Sequence, residues 1–483
     1  MVFSSPLFLF LFLPLVLAGY WLVPGIRGRN LWLLLASLAF YAWGEVAFIL
    51  LLLASTTVNY GLGWWVDREQ APARRKLAVA VAVAINLGLL AFFKYADFVV
   101  GMLNSLLAWL GLAPLQAPHV PMPIGISFFT FHALSYVIDV YRRKWTAARD
   151  PRDVALYIFF FPQLVAGPIL RWNAIAPQLV RRSASPDQFA EGIRRFAGGL
   201  AKKVLIANAV AVPADQIFAL APGELSASVA WFGIVCYSLQ IYFDFSGYSD
   251  MAVGLGKMFG FEFIENFDFP YIAQSMRDFW RRWHISLSTW FRDYLYIPMG
   301  GNRGSELRTG FNLLTVFFLC GLWHGASWTF VAWGLYHGVF LVLERTDFGA
   351  WLERLPRVIR HSYAILIFML GWVLFRADSF SNAWTYFGAL FGLAPDGAAQ
   401  PLARYASREA ISAVAAGVLF SGPLWGWLEE RWNRLGRDRS GGVTTALEAA
   451  GVALEIGLVL LLFIVCAAWL AGGTYNPFIY FRF

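Results

Sequence analysis

Six histidines, His119, His132, His284, His324, His337 and His361, are the side chains of this sequence best suited to moving protons near neutral pH. His324 stands apart. In "LCGLWHGASWTFVAWGLYHG" it sits in a hydrophobic stretch, bracketed by Gly321, Trp323 and Gly325, with no charge beside it in sequence. An ionisable ring at membrane depth costs free energy unless it is paired or faces a cavity, which makes it a functional candidate. The glycines would let a ligand or another backbone come close. The competing reading is a histidine that bonds a neighbouring helix as structural glue. His337 lies thirteen residues on, ~20 Å away if the helix is continuous, and reads as structural. His119, in a Pro-rich loop, and His361, after Arg360, read as solvated or interfacial, and His132 as a packed polar residue.

A second histidine lies in "WRRWHISLSTW", Trp280 to Trp290. With a helical period, Trp280, Trp283, His284, Leu287 and Trp290/Phe291 share one face, while Arg281, Arg282, Ser288 and Arg292 fall beside or opposite it. The pattern predicts an amphipathic helix lying in the membrane interface, basic side toward the headgroups. His284 is then either a satisfied interfacial residue or a ring aimed at a cavity that His324 could share. The following "YIPMGGNRGS" reads as a membrane-surface turn before it reads as a phosphate loop. "LQIYFDFSGYSDMAVGLG" carries Asp244, Tyr248 and Asp250 in an apolar setting. Its buried carboxylates should pair with arginines, accept hydrogen bonds, face a wet cavity or relay protons.

The elements that must position these residues are membrane helices. Of the 483 residues 59% are hydrophobic and 14% charged, against roughly 25% charged in an average soluble domain. Continuous apolar runs such as Ser5 to Val23, Phe48 to Val66, Lys76 to Phe93 and Leu454 to Leu470 approach the ~20 residues that cross a bilayer, and they lack the alternation of a β-barrel. Counting such runs predicts about ten or eleven spans in one polytopic domain over residues 1–483. The first run precedes Arg27 and Arg29, which predicts an uncleaved anchor with those arginines in the cytoplasm.

The net charge of +8 is spread over short clusters (Arg68 to Lys76, Arg142 to Arg152, Arg194 to Lys203, Arg277 to Arg308, Arg431 to Arg439). This reflects topology, not nucleic-acid binding. Pro and Gly in Phe160 to Trp172 and in Val120 to His132 predict kinked or re-entrant segments lining interior space. Phe391 to Arg408, with Pro395, Asp396, Gly397 and Pro401, reads as a loop. Cys236, Cys320 and Cys466 have neither disulfide nor zinc spacing.

Taken in order, "MVFSSPLFLFLFLP", "PIGISFFTFHALSYVIDVYR", "FPQLVAGPILR", "YFDFSGYSDMAVGLGKMFGF", "FWRRWHISLSTWFRDYLYIPMGGNRG" and "GLWHGASWTFVAWGLYHG" resemble the membrane-bound O-acyltransferases, in particular their bacterial alginate O-acetyltransferase branch; the ending "NPFIYFRF" is similar too. The resemblance implies an all-α integral membrane bundle, with re-entrant and interfacial helices around a water-filled central tunnel. The family's essential histidine falls on His324 and a second on His284. On this reading Trp323, Gly321, Gly325, Asp244, Tyr248 and Asp250 shape the path of the acyl group, and Arg281 and Arg282 lie beside the docked donor.

That donor is acetyl-CoA or another cytoplasmic thioester, with no bound cofactor or metal. The partners are the bilayer, a periplasmic acetyltransferase and a polysaccharide acceptor reached directly or through it, and the location is the bacterial inner membrane. Alginate is the first acceptor, with cellulose, another exopolysaccharide or peptidoglycan as alternatives and D-alanyl transfer to teichoic acid more remote. A transporter or flippase working through Asp244 or Asp250 is the rival class. A haem or quinone protein is less favoured, since His324 has no second histidine within one helical turn.

Overall fold

The computed structural model describes residues 1–393, 399–424, 426–428, 430–431, 442–473, 475–477 and 479. The centre of the expected Phe391 to Arg408 loop, most of the Arg431 to Arg439 cluster and part of the "NPFIYFRF" ending lie outside them. The regular elements among the described residues are all helices. Five are long and apolar enough to cross a membrane: Val46–Arg68, Pro72–Trp109, Pro186–Phe218, Arg357–Arg376 and Ala449–Ala471; Phe8–Leu22, Ile126–Tyr141 and Trp328–Leu343 are apolar but shorter. Several of the apolar runs in the sequence are therefore divided among shorter helices. The protein is an all-α, multi-pass membrane protein.

The chain forms two compact units, Met1–Phe196 with Met251–Ile264, and Ala197–Asp250 with Glu265–Phe483. The first unit holds α1 (Leu13–Leu22), α2 (Gly25–Ala42), α3 (Ile49–Arg68), α4 (Pro72–Trp109), α5 (Ile126–Tyr141), α6 (Pro151–Phe159), α7 (Phe161–Leu164), α8 (Trp172–Val180) and most of α9 (Pro186–Ala201). Phe3, Phe8, Phe40 and Phe161 pack there with ring centroids 4.9 to 6.4 Å apart. Amide side chains are satisfied reciprocally where α3 meets α4: Asn59 Nδ2 donates to Asn86 Oδ1 at 3.1 Å and Asn86 Nδ2 to Asn59 Oδ1 at 2.7 Å. This meets the demand that polar groups buried in an apolar medium find partners. The two Pro-bearing segments are irregular, as expected. Only four helical residues, α7, interrupt the turn after Phe160, and Gly125, at φ 78°, opens α5.

The second unit holds α10 (Asn208–Phe218), the larger part of α11 (Ala227–Met258), α12 (Met276–Arg282), α13 (Ile285–Phe291), α14 (Glu306–His324), α15 (Trp328–Leu343), α16 (Asp347–Arg354), α17 (Arg357–Arg376), α18 (Phe380–Leu390), α19 (Arg408–Phe420) and α20 (Gly442–Ala471). A π-helical turn, Lys202–Ala207, leads into α10. All the candidate site residues belong to this unit.

Candidate active site

The helix expected from Trp280 to Trp290 is two helices. Ser275 opens α12, its Oγ accepting the Asp278 N–H at 3.0 Å. The helix stops at Arg282; Trp283 is extended and His284 is left-handed at φ 46°, ψ 54°. That region is uncommon for a side-chain-bearing residue and costs of order 1–3 kcal/mol.

The break is held from a distant stretch of chain. Asn266 accepts the Ile285 N–H on its carbonyl at 2.9 Å, and its Oδ1 accepts the Ser286 N–H and hydroxyl at 3.2 and 2.9 Å. The Arg282 carbonyl accepts the Asp268 N–H at 3.0 Å. One helical face through Trp280 and His284 is thus replaced by a sharp turn that buries His284 to 1% exposure. Among the described residues neither ring nitrogen of His284 has a hydrogen-bond partner. Burial pushes this imidazole below its ordinary pKa, favouring the uncharged ring.

His324 is the last residue of α14, and Ser327 opens α15. The two helices are pressed together at glycines. A Cβ on Gly321 would lie 2.3 Å from the Phe330 carbonyl oxygen, and one on Gly334 2.2 Å from that of Phe317. A Cβ on Gly325 would meet the Phe330 ring at 2.2 Å. The glycines flanking His324 therefore make room for α15, not for a ligand, and bulk placed there would strain the hairpin before it could obstruct any path.

The two histidines are brought together, with ring centroids 6.5 Å apart. His324 lies edge-on to Trp323 (4.8 Å), Trp333 (5.0 Å) and Phe375 (5.2 Å). His284 meets Phe245 at 4.6 Å and Trp323 at 6.1 Å. A narrow cavity beside His324 is lined by Ile241, Phe245, Trp283, Trp333, Trp372, Phe375 and Ile479; the volume open to the centre of a water is about 10 Å³, enough for about one water. Around this cavity, sequence reasoning singled out His324 and, on the face shared with His284, Trp283. Its other aromatic members have no local signal in a chain with 22 tryptophans and 44 phenylalanines.

The carboxylates are paired, by lysines instead of arginines. Lys203 Nζ lies 2.6 Å from Asp244 Oδ1, and Lys202 Nζ 2.6 Å from Asp250 Oδ2. Asp244 Oδ2 also accepts the Ile479 N–H at 2.7 Å. Asp244 thus fixes one wall of the cavity without lining it. Tyr248 is buried one turn along α11 from Asp244 and does not line the cavity. Arg282 is held by Asp278 (2.9 Å) and Asp268 (3.1 Å), and Arg281 is exposed. The Gly-rich stretch is a turn, with Gly300 and Gly301 at positive φ and Asn312 Nδ2 donating to the Gly301 carbonyl at 2.9 Å.

Two buried imidazoles at this separation can both reach one hydroxyl oxygen placed between them, the geometry of general-base catalysis. Residues 125–353 match the membrane-bound O-acyltransferase family, and the chain is 43% identical, over the whole of both sequences, to the Probable alginate O-acetylase AlgI of Azotobacter vinelandii. The chain belongs to that family. This acyltransferase is also 47% identical to the Probable alginate O-acetylase AlgI of Pseudomonas aeruginosa, over 81% of the chain and 75% of the relative. To the Peptidoglycan O-acetyltransferase of Helicobacter pylori it is 37% identical, over 81% and 80%. Membership favours acyl transfer over the transporter and haem readings. His284 also removes the argument that His324 lacks a histidine neighbour, since its neighbour comes from another helix pair.

Proposed function

We propose that this O-acyltransferase takes an acetyl group from a cytoplasmic thioester and passes it across the inner membrane of a bacterium for O-acetylation of an exopolysaccharide, alginate first. The observation that carries the reading is the pair of buried imidazoles, His284 and His324, 6.5 Å apart beside a narrow aromatic cavity. The names of the Azotobacter and Pseudomonas relatives support alginate; that of the Helicobacter relative favours peptidoglycan as the second choice.

In this reading the acceptor hydroxyl donates its proton to His324 while its oxygen attacks the thioester carbonyl. The C–O bond forms, the C–S bond breaks, and the proton leaves with the thiolate. General-base help of this kind is worth roughly 10²- to 10⁴-fold. His284, neutral and donating one N–H, steadies the oxygen. A transient acetyl-imidazole at His324 is an equally balanced route. The attacking hydroxyl belongs either to the polysaccharide itself or to a periplasmic acetyltransferase partner, whose acetyl ester is then attacked by a polymer hydroxyl, freeing the partner's hydroxyl and completing the transfer.

The test compares O-acetyl content of secreted polysaccharide from cells carrying the wild-type chain, His324→Ala or His284→Ala, at matched membrane levels. Loss of at least ~10²-fold with His324→Ala and a smaller loss with His284→Ala are expected. Acetylation unchanged by His324→Ala would remove the imidazole pair from the chemistry.

A further inference from the structure

In the first unit, α4 is 38 residues long, or ~57 Å, nearly twice the ~30 Å of a bilayer's hydrocarbon. Its neighbours stop well short of its end. Phe48, where α3 begins, packs edge-on against Phe93 at 5.9 Å, and Lys94 Nζ lies 3.5 Å from Ser127 Oγ at the start of α5. Tyr95 to Trp109 therefore overhang both helices by ~22 Å. Confining all of α4 to hydrocarbon would need a tilt of about 60°, beyond the ~40° that membrane helices reach, and would put the exposed Asp97 in lipid. The basic cluster Arg74 to Lys76 at the start of the helix holds that end in the cytoplasm, so the overhang stands on the outer side.

The chain then returns along the overhang. Asn104 Nδ2 donates to the Leu115 carbonyl at 2.9 Å and its Oδ1 accepts the Leu115 N–H at 2.7 Å, while Asp97 Oδ1 accepts the His119 N–H at 2.9 Å. Helix end and returning chain form a post tied at two levels. From Phe98 to Val120 it carries no aspartate, glutamate, lysine or arginine. Leu103, Leu106, Trp109, Leu110, Leu112 and Leu115 are 42% to 79% exposed, Trp109 the most. Together they show on the order of 600 Å² of apolar surface, at the top of the ~300–600 Å² range of patches that mark interaction sites and most of the ~800 Å² that one partner contributes to a stable complex.

Resting on the acyl-transfer reading above, we infer that this post, residues 98–122, is the docking surface for the periplasmic acetyltransferase partner, which meets it with an apolar, uncharged face. The polymer itself fits poorly, because an acidic polysaccharide finds no cation on the post to pair with. The clip between Asn104 and Leu115 holds helix and returning chain in one arrangement before the partner arrives, which lowers the ordering cost of docking.

The experiment uses the full chain in cells that secrete the polysaccharide, together with an epitope-tagged periplasmic acetyltransferase of the same cell. Trp109→Asp and Leu112→Asp change exposed side chains, so melting in detergent should stay where it is, while O-acetyl content of the polymer falls at least tenfold, as expected when an interface anchor is lost. Trp109→Phe should restore most of it. Benzoylphenylalanine at position 106 or 112 of the otherwise wild-type chain should crosslink to the tagged acetyltransferase, and at position 77, exposed near the other end of α4, it should not; this keeps the test decisive if an aspartate variant misfolds.

Wild-type acetylation in both aspartate variants would overturn the assignment. So would crosslinks from positions 106 and 112 to lipid alone, which would make the post a membrane-surface anchor, or to a second copy of this chain. His324→Ala separates the two readings. If it abolishes acetylation while the aspartate variants acetylate normally, the docking assignment fails and acyl transfer stands. If it leaves acetylation intact, the acyl-transfer reading fails whatever the post binds.

Discussion

Replacing Lys203 by Met removes the cation from an ion pair whose side chains are 3% and 1% exposed. Asp244 is then left as a buried carboxylate that accepts the Ile479 N–H at 2.7 Å without a neutralising cation, and breaking a buried pair from one side costs ~3–5 kcal/mol. The companion Lys203→Met with Asp244→Asn removes both charges yet keeps a side-chain oxygen for the Ile479 N–H. Its residual loss is the ordinary ~1 kcal/mol of weakened hydrogen bonds, including that of Lys203 Nζ to the Pro477 carbonyl. The double variant should therefore be ~2–4 kcal/mol more stable than Lys203→Met alone, the sign of a coupled pair. With an unfolding entropy of ~2.1 cal/mol/K per residue over 483 residues, the single variant lowers Tm in detergent by at least ~3–5 °C, and the double variant recovers most of it. A Lys203→Met protein as stable as the wild type, or a double variant at the sum of the single losses, would refute a desolvated, mutually dependent pair.

Two further outcomes follow from distances at the hairpin and the cavity. Gly334→Ala and Gly321→Ala each drive a Cβ to within 2.2 or 2.3 Å of a facing backbone oxygen, so each should cost ~1–3 kcal/mol or more. The double variant should cost less than the sum, because one displacement of α15 relieves both; unshifted melting of either single variant would contradict the close crossing. At the cavity, space for about one water should hold the wild type to short acyl groups, with each added methylene costing ~1–3 kcal/mol, or ~10- to 100-fold. Phe375→Leu or Ile241→Ala should bring the propionyl-to-acetyl ratio in the polymer close to unity when both donors are supplied. A ratio that does not move would place the acyl group elsewhere.

His324 was readable because an ionisable ring in an apolar run has few inexpensive explanations, and the helical, membrane-spanning class followed from run length. The turn at His284 was not readable. It contains neither Gly nor Pro, and what holds it is Asn266, some twenty residues away, supplying acceptors for Ile285 and Ser286; helical periodicity is blind to such a partner. The pairing of the acids was foreseen but not its source. Lys202 and Lys203 belong to a basic cluster that composition attributes to membrane topology, whereas they begin a π-helical turn from which adjacent side chains reach Asp250 and Asp244, six residues apart on α11. An inserted π turn alters the angular offset of the residues that follow it, and no propensity scale marks it here. The glycines beside His324 were correctly noticed and their use left open, since close approach of a ligand and of a backbone have the same signature.

Both imidazoles stand where helices end, and the two ends differ in sign. His324 closes α14, nineteen residues long, whose terminal carbonyls carry the negative end of the helix dipole; His284 precedes α13, where the amide groups carry the positive end. A proton moving onto His324 during acyl transfer brings positive charge to the end that welcomes it. The same proton on His284 would face the amide end of α13 and lose the solvation that burial already denies it. The aromatic edges around His324, from Trp333 and Phe375, exclude water and leave these fixed dipoles unscreened. Within the proposed acyl transfer, the asymmetry favours His324 over His284 as the group that takes up the proton. An arrangement of the same two rings within helix interiors would offer no such distinction, because each would lie remote from a helix terminus, where the dipole acts within the first or last turn.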